Sequence, residues 1–201
     1  MKKHFITTLF FLAATCTLSA ANDADALIKK AAEAFNKKGT EVTFTIDMDG
    51  DEVKGKLLMD GKKYHIEADD MSTWFDGKTQ WFLQSSDSYS EVYISEPTDE
   101  ELMGTNPYML LNNYGKMFNA SLGAKKNGMQ EIVLSAKDAN DIQSVSVWIK
   151  SDGSLGAMTI ATPQGMADIK VTAIRSCLSL SKDSFVIPKS SLKAAEVIDM
   201  R

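Results

Sequence analysis

The sequence predicts a mostly β domain with a few α-helices, its strands antiparallel and joined by tight turns. Three observations carry this. Apolar residues recur at every second position in short runs from Thr43 onward. Asp-Gly and Asn-Gly pairs separate those runs at Asp60-Gly61, Asp76-Gly77, Asn127-Gly128 and Asp152-Gly153, the dipeptides that hairpin turns favour. One stretch alone, residues 97–118, breaks the period with helical spacing.

The chain opens with Lys2, Lys3 and His4, then an uncharged apolar stretch from Phe5 to Leu18. That stretch is shorter than the about 20 residues a membrane helix needs. Small residues at Ser19-Ala20-Ala21 complete the pattern of an export leader cleaved after Ala21. Residues 1–21 are thus expected to be a signal peptide and 22–201 a single domain. Cys16, after Ala13-Ala14-Thr15, offers a second reading as a lipidated anchor, although Thr15 is bulky for that role. Beyond the leader, 20 basic and 27 acidic residues give a net charge of −7. With only Arg175 and Arg201 as arginines, the chain is not expected to bind nucleic acid. Cys177 then stands alone, and no internal disulfide is expected.

A helix comes first. Asn22 or Asp23 caps it, Leu27, Ala31, Ala34 and Phe35 share a face, and Gly39 stops it. Phe44, Ile46 and Met48 then alternate with polar residues, as do Val53, Leu57 and Met59, and Tyr64, Ile66 and Ala68. Further strands are expected over 71–75, 79–84 and 91–95, forming a meander. Thr98-Asp99-Glu100-Glu101 forms a capping box for a short helix. A second helix starts at Asn106-Pro107 and carries Met109, Leu110, Leu111, Tyr114, Met117 and Phe118, apolar over much of its circumference. Strands resume over 131–136, 144–150, 155–161 and 166–176, and a last one is expected over 183–187 before Pro188. Roughly ten strands in one domain result, with no linker or repeat.

Catalytic chemistry finds little footing. His65 is the sole histidine after the leader and falls on the polar face of its strand, as a surface residue would. Cys177 lies in no nucleophile motif. Too few His and Cys remain for a transition-metal site, and the glycines sit in turns rather than phosphate loops. Asp69-Asp70 and Glu100-Glu101 are carboxylate pairs, but a hairpin bend and a helix first turn are ordinary places for them. No enzyme activity, cofactor or metal is expected. What remains is apolar and pliable: ten methionines follow Met1, and methionine adapts to irregular ligands as readily as it fills cores.

Trp74-Phe75-Asp76-Gly77-Lys78-Thr79-Gln80-Trp81-Phe82, then Val92, Pro97 and Asn106-Pro107-Tyr108-Met109-Leu110-Leu111, resemble the periplasmic lipoprotein carrier family LolA in order and spacing. Phe185-Val186-Ile187-Pro188 and Glu196-Val197-Ile198-Asp199 are similar to that family's closing segment. The resemblance implies an incomplete antiparallel β-barrel, a half-barrel closed by a helical lid. It also implies a periplasmic carrier in a diderm bacterium that takes acylated lipoproteins from an inner-membrane ATP-driven exporter to an outer-membrane acceptor. A monomer is expected. The family locks its lid through an arginine near the third strand; here Asp60-Gly61-Lys62-Lys63 occupies that stretch, leaving Lys62 or Lys63 for the task.

By alternation, the expected lipid-binding cavity is lined by Phe44, Ile46, Met48, Leu57, Met59, Tyr64, Ile66, Trp81 and Leu83, continued by Val145, Val147 and Ile149. Leu110, Leu111 and Tyr114 are the expected lid. Two other readings stay open: a sensor of the same fold that binds lipid or lipoprotein, and a carbohydrate-binding module stacking sugars on Trp74 and Trp81.

Overall fold

Short turns between half-apolar strands force each strand to pair with its sequence neighbour, and the chain does this for most of its length. The structure, a computed structural model, describes residues 15–48, 51–138 and 141–201. Most of the expected leader lies outside the described residues. Helix α1 (Thr15–Phe35) precedes β1 (Thr40–Met48), β2 (Asp51–Asp60), β3 (Lys63–Ala68), β4 (Met71–Phe75), β5 (Gln80–Ser85) and β6 (Ser90–Ser95). Helices α2 (Asp99–Thr105) and α3 (Pro107–Asn113) follow, then a 3₁₀ turn over Tyr114–Lys116. The second run comprises β7 (Phe118–Lys126), β8 (Met129–Ala136), β9 (Ser144–Lys150), β10 (Leu155–Thr162) and β11 (Gly165–Arg175). A 3₁₀ turn (Lys182–Phe185), α4 (Lys189–Ala194) and β12 (Glu196–Asp199) close the chain.

Among the described residues the twelve strands form one open sheet, ordered β12-β6-β5-β4-β3-β2-β1-β11-β10-β9-β8-β7. It is an incomplete barrel. Every pairing is antiparallel except β12 on β6. The order explains the helical interruption: β6 lies near one edge and β7 forms the other, so the chain between them must travel the width of the sheet. Helices α2 and α3 occupy that crossing and cover one face. The main core lies between that face and the helices, and includes Ile28 and Phe35 of α1, Leu102, Leu110, Ile132 and Val147.

Several expectations are corrected. Helix α1 starts at Thr15 rather than at Asn22 or Asp23, because Thr15 to Ala21 contains no residue that breaks a helix. Its buried side is Ala24, Ile28, Ala31, Ala32 and Phe35, and Gly39 ends the segment at φ +61, where an added Cβ would collide with the Leu178 carbonyl. Phe118 begins a strand instead of ending a helix; Gly115 and the 3₁₀ turn stop the helix first. Residues 183–187 contribute to a 3₁₀ turn, not a strand. Strand β12 and helix α4 carry no local pattern strong enough to announce them.

Candidate functional site

Cross-strand partners share a face of the sheet, so register fixes which side chains meet. On the helix-covered face, Phe44 of β1 stands opposite Val171 of β11, and Ile46 opposite Ile169. Val42 stands opposite Leu57 of β2, and Met158 of β10 opposite Ile169. Together with Ile66 and Leu155 these side chains line a cavity of about 200 Å³. Its rim is the junction of α2 and α3, residues Met103, Gly104, Thr105, Asn106 and Pro107. The lining is almost wholly apolar. Gly55 shapes it: its partner is Phe44, and the Phe44 ring lies where a Cβ on residue 55 would be, 2.3 Å away. The missing side chain leaves room for the aromatic ring against β2.

The junction is held shut by polar contacts to the β2–β3 turn. Asn106, 1% exposed, donates from Nδ2 to the carbonyls of Lys62 (3.0 Å) and Gly61 (3.3 Å). Its Oδ1 accepts from the backbone N–H groups of Tyr108 (2.9 Å) and Met109 (3.4 Å), capping α3. One amide therefore both starts the helix and ties it down. Lys62 Nζ donates to Asp99 Oδ1 at 2.8 Å, and this ammonium holds the Asp99 carboxyl below the usual carboxylate range. Thr105 Oγ1 donates to Tyr64 Oη (3.4 Å), which donates to Gln80 Oε1 (2.6 Å). Burial raises the Tyr64 hydroxyl pKa, with the Thr105 bond opposing. At the far end of the lid, Tyr114 Oη donates to Asp25 Oδ1 of α1; burial first, and then Asp25, push that hydroxyl well above its ordinary value. Asn112 Nδ2 adds a 2.9 Å bond to Asn36 Oδ1.

The sequence-predicted lining divides into four groups. Phe44, Ile46, Leu57 and Ile66 meet at the cavity. Met59, Tyr64, Val145, Val147 and Ile149 are fully buried in the main core and do not line it. Met48 closes β1, and its side chain lies outside the described residues. Trp81 and Leu83 stand on the opposite face of the sheet. The parity follows from pairing: Tyr64 opposes Phe75, so Trp74 points away, and Trp81 opposes Trp74. A hairpin one residue out of phase with the assumed alternation inverts the whole strand.

The lid expectation shifts by a few residues. Leu110 and Leu111 are buried core residues, Tyr114 is half-buried against α1, and the cavity rim is instead Met103–Pro107. Of the two lysines in the stretch where the arginine was expected, Lys62 pairs with Asp99, while Lys63 packs near Gly77. Leu155, Met158, Ile169 and Val171 also line the cavity, and of these Ile169 and Val171 alternate visibly within 166–176.

On the outer face, Trp74, Val92, Ile94 and Ile187 form a second apolar cluster, with Trp81, Leu83, Leu192 and Ala195 packed on it. The C-terminal segment supplies its cover, so Trp74 is 6% exposed and does not offer an open sugar platform. His65 stacks on Trp74 with centroids 4.7 Å apart. It is no surface histidine: its side chain is 12% exposed, and Nε2 has no hydrogen-bond partner. Burial lowers its pKa, with Glu67 opposing and Lys56 assisting. Among the described residues no His, Cys, Asp and Glu cluster suits a metal ion, and no helix is long and apolar enough to cross a membrane. Glu101 is spent on the Thr98 capping box, and Asp69 takes a turn conformation at φ 46.

Residues 14–165 match the family described as outer membrane lipoprotein carrier protein LolA. The chain belongs to the LolA family. None of the curated proteins matches it in sequence. Among solved structures, this LolA-family chain is similar to an uncharacterized conserved protein from Thermus thermophilus, with TM-score 0.58 and 12% identity, covering 88% of this chain and 99% of that one. At that identity the likeness concerns the fold. Weaker likenesses are to the Pseudomonas aeruginosa MucA/MucB complex (TM-score 0.42, 12% identity, 83% of this chain and 61% of that one) and to the Mycobacterium tuberculosis lipoprotein LppX (TM-score 0.42, 13% identity, 80% and 99%).

Proposed function

We propose that this LolA-family chain is a periplasmic carrier that holds the acyl chains of lipoproteins beneath its α2–α3 lid and performs no catalysis. In this reading it accepts its cargo from an inner-membrane ATP-driven exporter and delivers it to an outer-membrane acceptor. The supporting observation is an apolar cavity whose rim is fastened by hydrogen bonds rather than by packing alone. Acyl chains need such shelter, since each buried CH₂ is worth about 0.8 kcal/mol. At about 200 Å³ the cavity is smaller than the roughly 300–1,000 Å³ of ligand pockets, so loading requires the lid to rise. Hydrogen bonds suit a lid that must reopen: the polar groups they release are satisfied by water, at a modest net cost.

The test uses membrane vesicles containing the exporter and a labelled triacylated lipoprotein, supplied with ATP and the purified chain. Label should leave the membrane as a soluble complex, only when acylated, and Ile46→Asp should abolish release. Retention of the label in the membrane, under conditions where an established carrier extracts it, would defeat the proposal.

A further inference from the structure

A second, larger cleft lies at the rim of the sheet and shares no lining residue with the apolar cavity. It measures about 410 Å³ and is bounded by α1, the β7–β8 hairpin and the end of β9. Its charged wall is Lys125, Lys126 and Lys150; its apolar side is Leu27, Met129 and Ile149. The hairpin tip, Asn127 and Gly128 at φ 52 and 75, places Lys125 and Lys126 there. Lys30 of α1 adds a fourth cation nearby, its aliphatic stem lying across Gly153 where a Cβ would be 2.3 Å from it.

Among the described residues none of these four lysines makes an ion pair. The neighbouring acids are otherwise engaged. Asp152 accepts from Ser154 N (2.8 Å) and Oγ (2.7 Å). Glu131 accepts from Ala124 N (3.0 Å) and Ser146 Oγ (2.8 Å). Four lysines thus gather with no carboxylate at ion-pair distance, in a chain whose formal charge is −5; Asp152, whose carboxyl the Ser154 hydrogen bonds hold low, also feels the charges of Lys150 and Lys30.

We propose that this cleft docks the chain on anionic phospholipid, its lysines meeting headgroup phosphates and its apolar side accepting the glyceryl portion. The chemistry favours phosphate over an acidic peptide: lysine ammonium groups act as point charges on phosphate, whereas paired carboxylate recognition calls on the forked guanidinium, and the cleft holds no arginine. The local positive field gives an otherwise acidic protein one orientation in which it approaches an anionic surface. This does not depend on the carrier reading.

Flotation with phosphatidylglycerol-containing vesicles and with pure phosphatidylcholine vesicles tests it, using the exported form of the protein. Binding should require phosphatidylglycerol and weaken with salt. The double variant Lys125→Gln/Lys126→Gln should bind roughly thirtyfold more weakly, the change two membrane-apposed lysines supply. Lys189→Gln/Lys193→Gln on α4, with the same net charge, should bind as the parent does, and both variants should melt like it. Equal binding to both vesicle types, equal loss in the two variants, or full release by soluble glycerol phosphate would each overturn the proposal, the last pointing to a small-anion site. Ile46→Asp should leave vesicle binding intact, which separates this test from that of the cavity.

Discussion

Replacing Asn106 by aspartate separates the two tasks of this side chain. The acceptor that caps α3 survives, since an aspartate oxygen serves the Tyr108 and Met109 N–H groups as well as the amide oxygen does. The donor is lost, and with it both bonds to the Gly61 and Lys62 carbonyls. Each such bond contributes about 1 kcal/mol net, so the closed lid should lose about 2 kcal/mol, close to a thirtyfold shift toward the open form. The true shift should be larger, because a carboxylate oxygen now faces two carbonyl oxygens at a site only 1% exposed. Hydrogen exchange of the α2 and α3 amides reads lid opening directly, and uptake of a fluorescent fatty acid reads access to the cavity. Both should accelerate at least tenfold, while amides of β8 and β9 exchange as before. Unchanged α2–α3 exchange in Asn106→Asp would refute the latch, and would mean that core packing of Met109, Leu110 and Leu111 alone keeps the lid down.

Two further outcomes follow from the packing. Gly55→Ala should destabilise the fold by about 1–3 kcal/mol, the usual cost of overpacking, because its Cβ overlaps the Phe44 ring; in a Phe44→Leu background most of that cost should vanish, as a double-mutant cycle by denaturant unfolding would reveal. His65 is held neutral by burial, its folded pKa below that of the unfolded chain. The unfolded state therefore binds more protons as pH falls below about 6.5. Its contribution to stability should be constant above that pH and decline from there down to the lowered folded pKa. His65→Phe should flatten the stability profile across that window, and an unaltered slope would assign the pH dependence to other groups.

The local chemistry of the chain determined its elements. Alternation and Asp-Gly or Asn-Gly turns suffice to place β1 to β6 and β8 to β11, because a strand with one buried face and a two-residue turn has few other arrangements. The capping box at Thr98 and Pro107 at a helix start likewise fixed α2 and α3. Strand β12 lies at an edge of the sheet and gains its order from a partner distant in sequence, running parallel to β6 about a hundred residues earlier; β7, at the other edge, is a hairpin partner of β8, but its mostly exposed residues carry too little apolar alternation to announce a strand. Alternation also says which residues share a face, but not which face is inward. Phe44 and Trp81 look equally inward in sequence, yet the pairing of Trp74 with Trp81 sends the tryptophans outward, where residues 182–199 happen to cover them. Among the inward residues, only packing separates cavity from core. Val147 and Ile46 have similar sequence surroundings, but the first is sealed in the main core and the second is left beside empty space under the α2–α3 junction. That difference depends on where a crossing helix pair comes to rest, a sum of long-range contacts that no local pattern records.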